Sequence, residues 1–355
     1  GVLVVAQVAV ALLPVASVFL LRTLRDVVFA HGAEVGVTES VLSCLLLLAP
    51  YCLIAGYLLT LASLVLASKK GPASIGQVYF LDNVGDVIGG VLFSFVLVYL
   101  FDHFRILYVP ALLNLLFAGL VALVAGKRAL AAVAAVVAAG LVGLMFACDL
   151  DAVSTTIQYP GQTVEYRGNS PYGRLVVTKS SGQYNFFENG VPLFSTHQTV
   201  KVEEPIHLAM AQRPRARRVL LISGGISGTA REILKYGGPD GDYPLVDYVE
   251  LDPLIVKIGS EYVPENLADP QERIHVVNTD GRLFLRQTRE HYGVIIVDVP
   301  DPSTSQINRF YTEEFFAEAR GRLAPDGVLS ISLGHYENYL SRELADLIAV
   351  AHRTL

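Results

Sequence analysis

Cysteine is scarce in this 355-residue chain: there are three, Cys44, Cys52 and Cys148. All three lie in or beside apolar segments and none follows residue 148. That excludes a disulfide framework and any Cys-based zinc or iron–sulfur site in the second half. Charged residues are also few, at 17%, and unevenly spread. Residues 1–148 hold 7 Lys/Arg and 6 Asp/Glu, a formal +1, whereas 149–355 hold 20 and 27, a formal −7. The second half therefore lacks the basic face that phosphate backbones need, which argues against nucleic acid as a partner. No basic leader precedes the opening GVLVVAQVAV, so this run reads as the remainder of a transmembrane helix rather than a signal peptide, and further residues are expected upstream.

What the first half does have is apolar length. The mean hydropathy of +0.47 comes from five runs at about 1–21, 41–66, 75–100, 106–125 and 129–148, each near the ~20 residues that cross a bilayer. A single soluble globule is excluded, and a lipid bilayer is an expected partner. Lys69, Lys70, Lys127 and Arg128 fall on one side of such a bundle and Arg22, Arg25 and Arg105 on the other. Four against three does not orient it. The third run, GQVYFLDNVGDVIGG, carries Asp82 and Asp86 four apart on one helix face, with Asn83, Gly85 and Gly89. Two readings stand: a cation or polyamine pathway, or a segment near an interface with a close-packing GxxxG pair.

After Cys148 the pattern changes to short alternating segments with turns at Gly168-Asn169, Ser180-Ser181-Gly182 and Asn189-Gly190. These predict a small antiparallel β unit over about 157–196. From about 203, apolar strands alternate with amphipathic helices: RVLLIS, LVDYVEL, RIHVVN, YGVIIVDV and GVLSISL, with a last helix in NYLSRELADLIAVAHRTL. The expected fold is a membrane helical bundle (1–148), a small antiparallel β domain (149–200) and a doubly wound, Rossmann-like parallel sheet (201–355). In such sheets ligands bind at the carboxyl ends of the strands. Those ends hold SGGISG (Ser223 to Gly228), Glu250, the triplet Asn278-Thr279-Asp280, and Asp298 within DVPDP. Small residues admit a ligand to the backbone. An acid such as Glu250, 22 residues after Gly228, commonly accepts from ribose hydroxyls. Any one of these is easily a surface acid or an ordinary turn, but four consecutive strand ends together point to a nucleoside site.

In these motifs residues 157–355 resemble the spermidine synthase family of aminopropyltransferases, and with the apolar first half, including Tyr79, Gly85 and Gly89, the chain resembles the bacterial membrane-fused members. The likeness covers nearly the whole length and implies a class I methyltransferase-type sheet whose last strands lie beyond Leu355. It implies a donor site of Ser223, Gly224, Gly225 and Gly228, with Glu250 on the ribose, Asp280 on the adenine amino group and Gly281 beside the ring. It implies Asp298 as the carboxylate that deprotonates an attacking amine and Asp301 as a holder of the cationic acceptor, and it places Glu203, His207 and Tyr311 at the acceptor end. The plain alternatives are a solvated acidic loop stiffened by Pro300 and Pro302, a structural histidine and a packing tyrosine. The implied co-substrate is decarboxylated S-adenosylmethionine or S-adenosylmethionine, with no covalent cofactor and no metal.

The pattern also departs from the family. Ile226 stands where an acid would hold the aminopropyl ammonium, Ile206 and Leu208 replace a tyrosine and a glutamate, and Ser223 and Ser227 replace glycines. Three functions stay open: an alkyl transferase acting on an amine, a nucleoside-binding scaffold or complex subunit, and a transporter with a soluble sensor. A second copy or a larger membrane complex is a possible partner. An active enzyme would face the cytosol of a bacterial inner membrane, where adenosyl sulfonium donors are made.

Overall fold

A computed structural model of the chain describes residues 1–29, 36–237, 244–269, 271–302, 304–333 and 341–355. Ser303 and the predicted start of the last helix at 338–340 lie outside the described residues. The chain divides into two compact units, Gly1–Pro171 and Tyr172–Leu355.

In the first unit, five helices among the described residues are long and apolar enough to cross a membrane: Val2–Arg25, Val37–Lys70, Ser74–Leu100, His103–Val124 and Arg128–Ala147. Small side chains let three of them approach closely. Ala118, Ala122, Ala131 and Ala134 are buried with Val4, and Ala11 and Ala111 sit with Phe104, Tyr108 and Leu115. Asp102 caps the fourth helix, accepting from the Phe104 and Arg105 amides at 3.0 and 2.9 Å.

A short helix not foreseen in the sequence, Leu150–Gln158, follows the fifth. Asp149 caps it, accepting from the Ala152 amide at 3.0 Å. Its Asp151, 5% exposed, accepts from Arg22 Nη1 at 2.7 Å and Arg167 Nη1 at 3.0 Å. Arg167, in strand β1 (Thr163–Asn169), also holds Asp149 and keeps its carboxyl far below the usual range, at about 2. A buried carboxylate is tolerated when partners on both sides compensate its lost hydration. The polar stretch of the third span is different. Asp82, Asn83, Gly85, Asp86 and Gly89 are exposed, and, apart from chain neighbours and the helix's own backbone, no described heavy atom lies within 4 Å of a Cβ placed on Gly85 or Gly89. Within the described chain, no helix packs on this glycine pair.

The second unit begins with strands β2 (Arg174–Ser180), β3 (Gln183–Glu188) and β4 (Val191–Ser195), paired antiparallel. Both hairpins turn through two residues in the left-handed region, Ser181-Gly182 and Asn189-Gly190, the conformation that matches the twist of the flanking strands. The helix Thr199–Met210 follows. Five parallel strands come next: β5 (Arg218–Ile222), β6 (Leu245–Glu250), β7 (Ile274–Asn278), β8 (Tyr292–Val297) and β9 (Leu323–Ile331). They are ordered β7-β6-β5-β8-β9. Their near-continuous apolar character has a direct cause: Val219, Leu220, Leu221, Val246, Val294 and Ile295 are all buried, as expected where helices cover both faces. The order reverses between β5 and β8, which makes the ends of those two strands the topological switch point of a Rossmann-like sheet.

Candidate active site

Backbone pairing brings the predicted residues together. Ser223 continues β5 by donating its amide to the Val249 carbonyl at 2.9 Å, and Asp298 continues β8 by donating to Ile222 at 2.9 Å. The chain then turns sharply: Ser223 and Gly224 have φ of 64° and 75° and Gly228 has 109°. At Gly224 the need for glycine is also steric, since a Cβ there would overlap the Asp298 carboxylate. At Gly225 it would come within 2.7 Å of the Tyr248 ring. The serines of the loop serve it internally. Ser227 Oγ and Thr229 Oγ1 donate to the Gly224 carbonyl at 2.8 and 3.0 Å, and Ser223 Oγ donates to Glu250 Oε2 at 3.3 Å.

Glu250, 4% exposed, also accepts from Tyr248 Oη at 2.8 Å and from the Leu251 amide at 2.9 Å. Burial pushes its carboxyl up to about 7 despite these bonds. Tyr248, a residue the sequence reading did not single out, sits two positions before Glu250 in β6 and therefore on the same face; that alternation was the available signal. At the end of β7 the Thr279 amide donates to the Glu250 carbonyl at 3.2 Å. Asp280 caps the helix Gly281–Gln287 by accepting from Leu283 N at 2.9 Å and pairs with Arg309. Gly281 is forced by Ile222, whose Cγ2 would lie 2.7 Å from an added Cβ. Arg309 was not foreseen, because no local pattern marks a partner 29 residues away.

Asp301 is exposed beyond Asp298 on the loop after β8. Tyr311, 7% exposed, belongs to the core cluster with Phe310 and Phe315. Its hydroxyl donates to the carbonyls of Ser332 and Pro300 at 3.0 and 3.4 Å, tying the Asp298–Asp301 loop to the end of β9. Burial, reinforced by the charges of Asp301 and Asp298, drives the phenol well above its usual range. The residue therefore braces the loop from beneath.

Glu203 and His207 lie on the helix Thr199–Met210. His207 Nδ1 is 2.7 Å from Tyr236 Oη and its Nε2 3.4 Å from Glu232 Oε2. Glu203, His207 and Glu232 offer ligand atoms within 4.8 Å of one another. The Lys235 ammonium lies 2.5 Å from Glu232 and 3.9 Å from Glu203, supplying the positive charge that a metal ion would bring. Ile206 is fully buried and Leu208 is exposed, so neither replaces the polar groups that the family pattern has there. Ile226 is buried rather than open to the strand-end crevice. Its Cγ2 and Cβ pack where a Cβ on Gly259, in the helix Pro253–Tyr262, would stand, and its carbonyl accepts from Asn266 Nδ2 at 2.9 Å.

The chain is similar to known proteins along much of its length. Residues 200–347 match the spermine/spermidine synthase domain. The chain is 30% identical over 269 residues to a polyamine aminopropyltransferase of Oceanobacillus iheyensis, covering 73% of this chain and 52% of that protein. It is 29% identical over 269 residues to one of Mycobacterium tuberculosis, covering 71% and 50%. A shorter match, 34% over 169 residues, is to the Alkaliphilus oremlandii polyamine aminopropyltransferase, covering 46% and 57%. The chain thus spans about half the length of the curated relatives it matches. A crystal structure of spermidine synthase in complex with the transition state analogue AdoDATO overlays with a TM-score of 0.47 at 26% identity, covering 54% of this chain and 64% of that one. The five-stranded sheet and its strand-end residues lie within residues 200–347, the segment that matches the spermine/spermidine synthase domain.

Proposed function

We propose that this chain is a membrane-anchored alkyl transferase that binds an adenosyl sulfonium, decarboxylated S-adenosylmethionine or S-adenosylmethionine, and passes an aminopropyl or related group to an amine. One observation carries the reading: Ser223, Gly224, Glu250, Asp280 and Asp298 converge at the strand ends around the switch point. Glu250 receives the ribose hydroxyls and Asp280 the adenine amino group. The sulfonium is already a good leaving group, so the protein's task is to align the amine and remove its proton. The amine nitrogen forms a bond to the methylene beside sulfur, the carbon–sulfur bond breaks, methylthioadenosine departs, and the proton goes to Asp298. With Ile226 packed inward and Leu208 exposed, this half of the site keeps Asp301 and Glu203 but lacks two of the acids that the family pattern has. The transferred group or the acceptor is expected to differ accordingly.

The five apolar helices support anchoring in a bilayer, and the donor's origin puts the soluble unit on the cytosolic side of a bacterial inner membrane. Inside-out vesicles carrying the full chain should release methylthioadenosine from added donor and amine, while right-side-out vesicles should not. Adenosyl-ligand binding without release from any amine would leave a nucleoside-binding scaffold instead.

Glu250 makes donor affinity depend on pH. Its proton is held up to about 7 in the folded protein against 4.5 ordinarily. Between these values the folded state binds the proton that the unfolded chain releases, so Glu250 lowers stability as pH rises through this window. A ribose diol donates and needs the ionised acceptor. Methylthioadenosine affinity should therefore rise about tenfold from pH 6 to pH 8, and Glu250→Gln should flatten the profile. Calorimetry at several pH values reads this directly; a flat wild-type profile would take Glu250 out of the ribose contact.

A further inference from the structure

The adenine-side turn is held by a second layer of residues from the segment after β8. Phe310 lies against Gly281, its Cε1 3.3 Å from where a Cβ would stand. Beside it, Arg309 pairs Nη2 with Asp280 Oδ2. Its Nε donates to the Gln306 carbonyl at 2.9 Å, and its guanidinium carbon sits 5.1 Å from the Phe310 ring centroid. Arg282, next to Gly281 in the chain, donates to the Arg309 carbonyl at 3.2 Å and grips Glu318 at 2.9 and 3.1 Å. Arg309 is thus fixed at its side chain and its backbone, and both members of the Arg309–Asp280 pair are partly buried, at 32% and 22% exposed.

The consequence falls on Asp280. One oxygen accepts from Leu283 N and the other from Arg309, so each keeps capacity for one more donor. We propose that Arg309 is a positioning residue for the purine of the donor: it holds Asp280 as a rigid acceptor, so that the site takes a 6-aminopurine and rejects a 6-oxopurine. This rests on the nucleoside reading above, in which the amino group donates to Asp280. Without Arg309, Asp280 loses the contact that holds Oδ2 in place, and a site that hydrogen-bonds a substrate N–H loses discrimination when its acceptor can turn away.

The test is calorimetric binding of methylthioadenosine and methylthioinosine to the full chain in detergent. Wild type should prefer the adenine ligand, and Arg309→Met should reduce the preference about tenfold or more. Arg309→Lys should recover part of it, since an ammonium keeps the charge without the planar fork. Equal weakening of both ligands, with the ratio unchanged, would mean a merely structural role and would overturn the proposal. If Arg309→Met does not fold, Arg309→Gln reads the same ratio. Failure of methylthioadenosine to bind wild type would instead overturn the nucleoside reading itself.

Discussion

Asp298→Asn should lower turnover by about 10²–10⁴-fold, the range set by removing a general base, and leave methylthioadenosine affinity within a few-fold of wild type. The expectation follows from where Asp298 sits. Its amide is fixed to Ile222 and its carboxylate lies against the Gly224 backbone, so the group is placed by the sheet rather than by a flexible loop. Asparagine keeps the shape and this contact but cannot take a proton from an ammonium. In the proposed reading product binding depends on Glu250, in β6, and on Asp280, after β7, and should persist. Single-turnover release of methylthioadenosine, set beside its dissociation constant, separates the two effects. Retained turnover would move the base elsewhere, with Asp301 next in line, and a parallel loss of binding would mean that Asp298 shapes the donor pocket instead.

Ile226→Asp should destabilise the chain by about 3–5 kcal/mol, the cost of an unpaired buried charge. By the family pattern this substitution restores an acid for the aminopropyl ammonium and ought to raise donor affinity. The packing reverses that expectation. Ile226 is 3% exposed and wedged at Gly259, while its backbone is held by Asn266. A carboxylate there is shut off from solvent and lies against Gly259. Thermal or denaturant unfolding of the purified chain measures the loss. Unchanged stability together with tighter binding of the decarboxylated donor would show that the loop turns this position toward the ligand.

Strand ends were legible from the sequence because a fully buried parallel strand is written as an apolar run with a sharp boundary. RVLLIS, LVDYVEL and YGVIIVDV each end within two residues of a strand end, and Ser223, Glu250 and Asp298 stand at those ends. The two hairpins were legible because Ser181-Gly182 and Asn189-Gly190 carry left-handed turn chemistry locally. Two features were not. The helix Leu150–Gln158 is only nine residues long and takes its support from Arg22, more than a hundred positions away. Arg309 and Asp280 likewise meet only through the fold. The inward packing of Ile226 was not legible for the same reason: a loop position has no periodicity to say which way its side chain faces, and Gly259, which makes room for it, lies on another element.

The close approach of Gly224 to Asp298 ties the inheritance of two positions 74 residues apart. A side chain at 224 is incompatible with the carboxylate at 298, so a lineage can gain one only after losing the other. Relatives that still carry an acid at the end of the fourth strand should keep glycine in the loop after the first. Those that have abandoned the acid are free to fill the loop, and a filled loop then marks, by sequence alone, a descendant without that carboxylate.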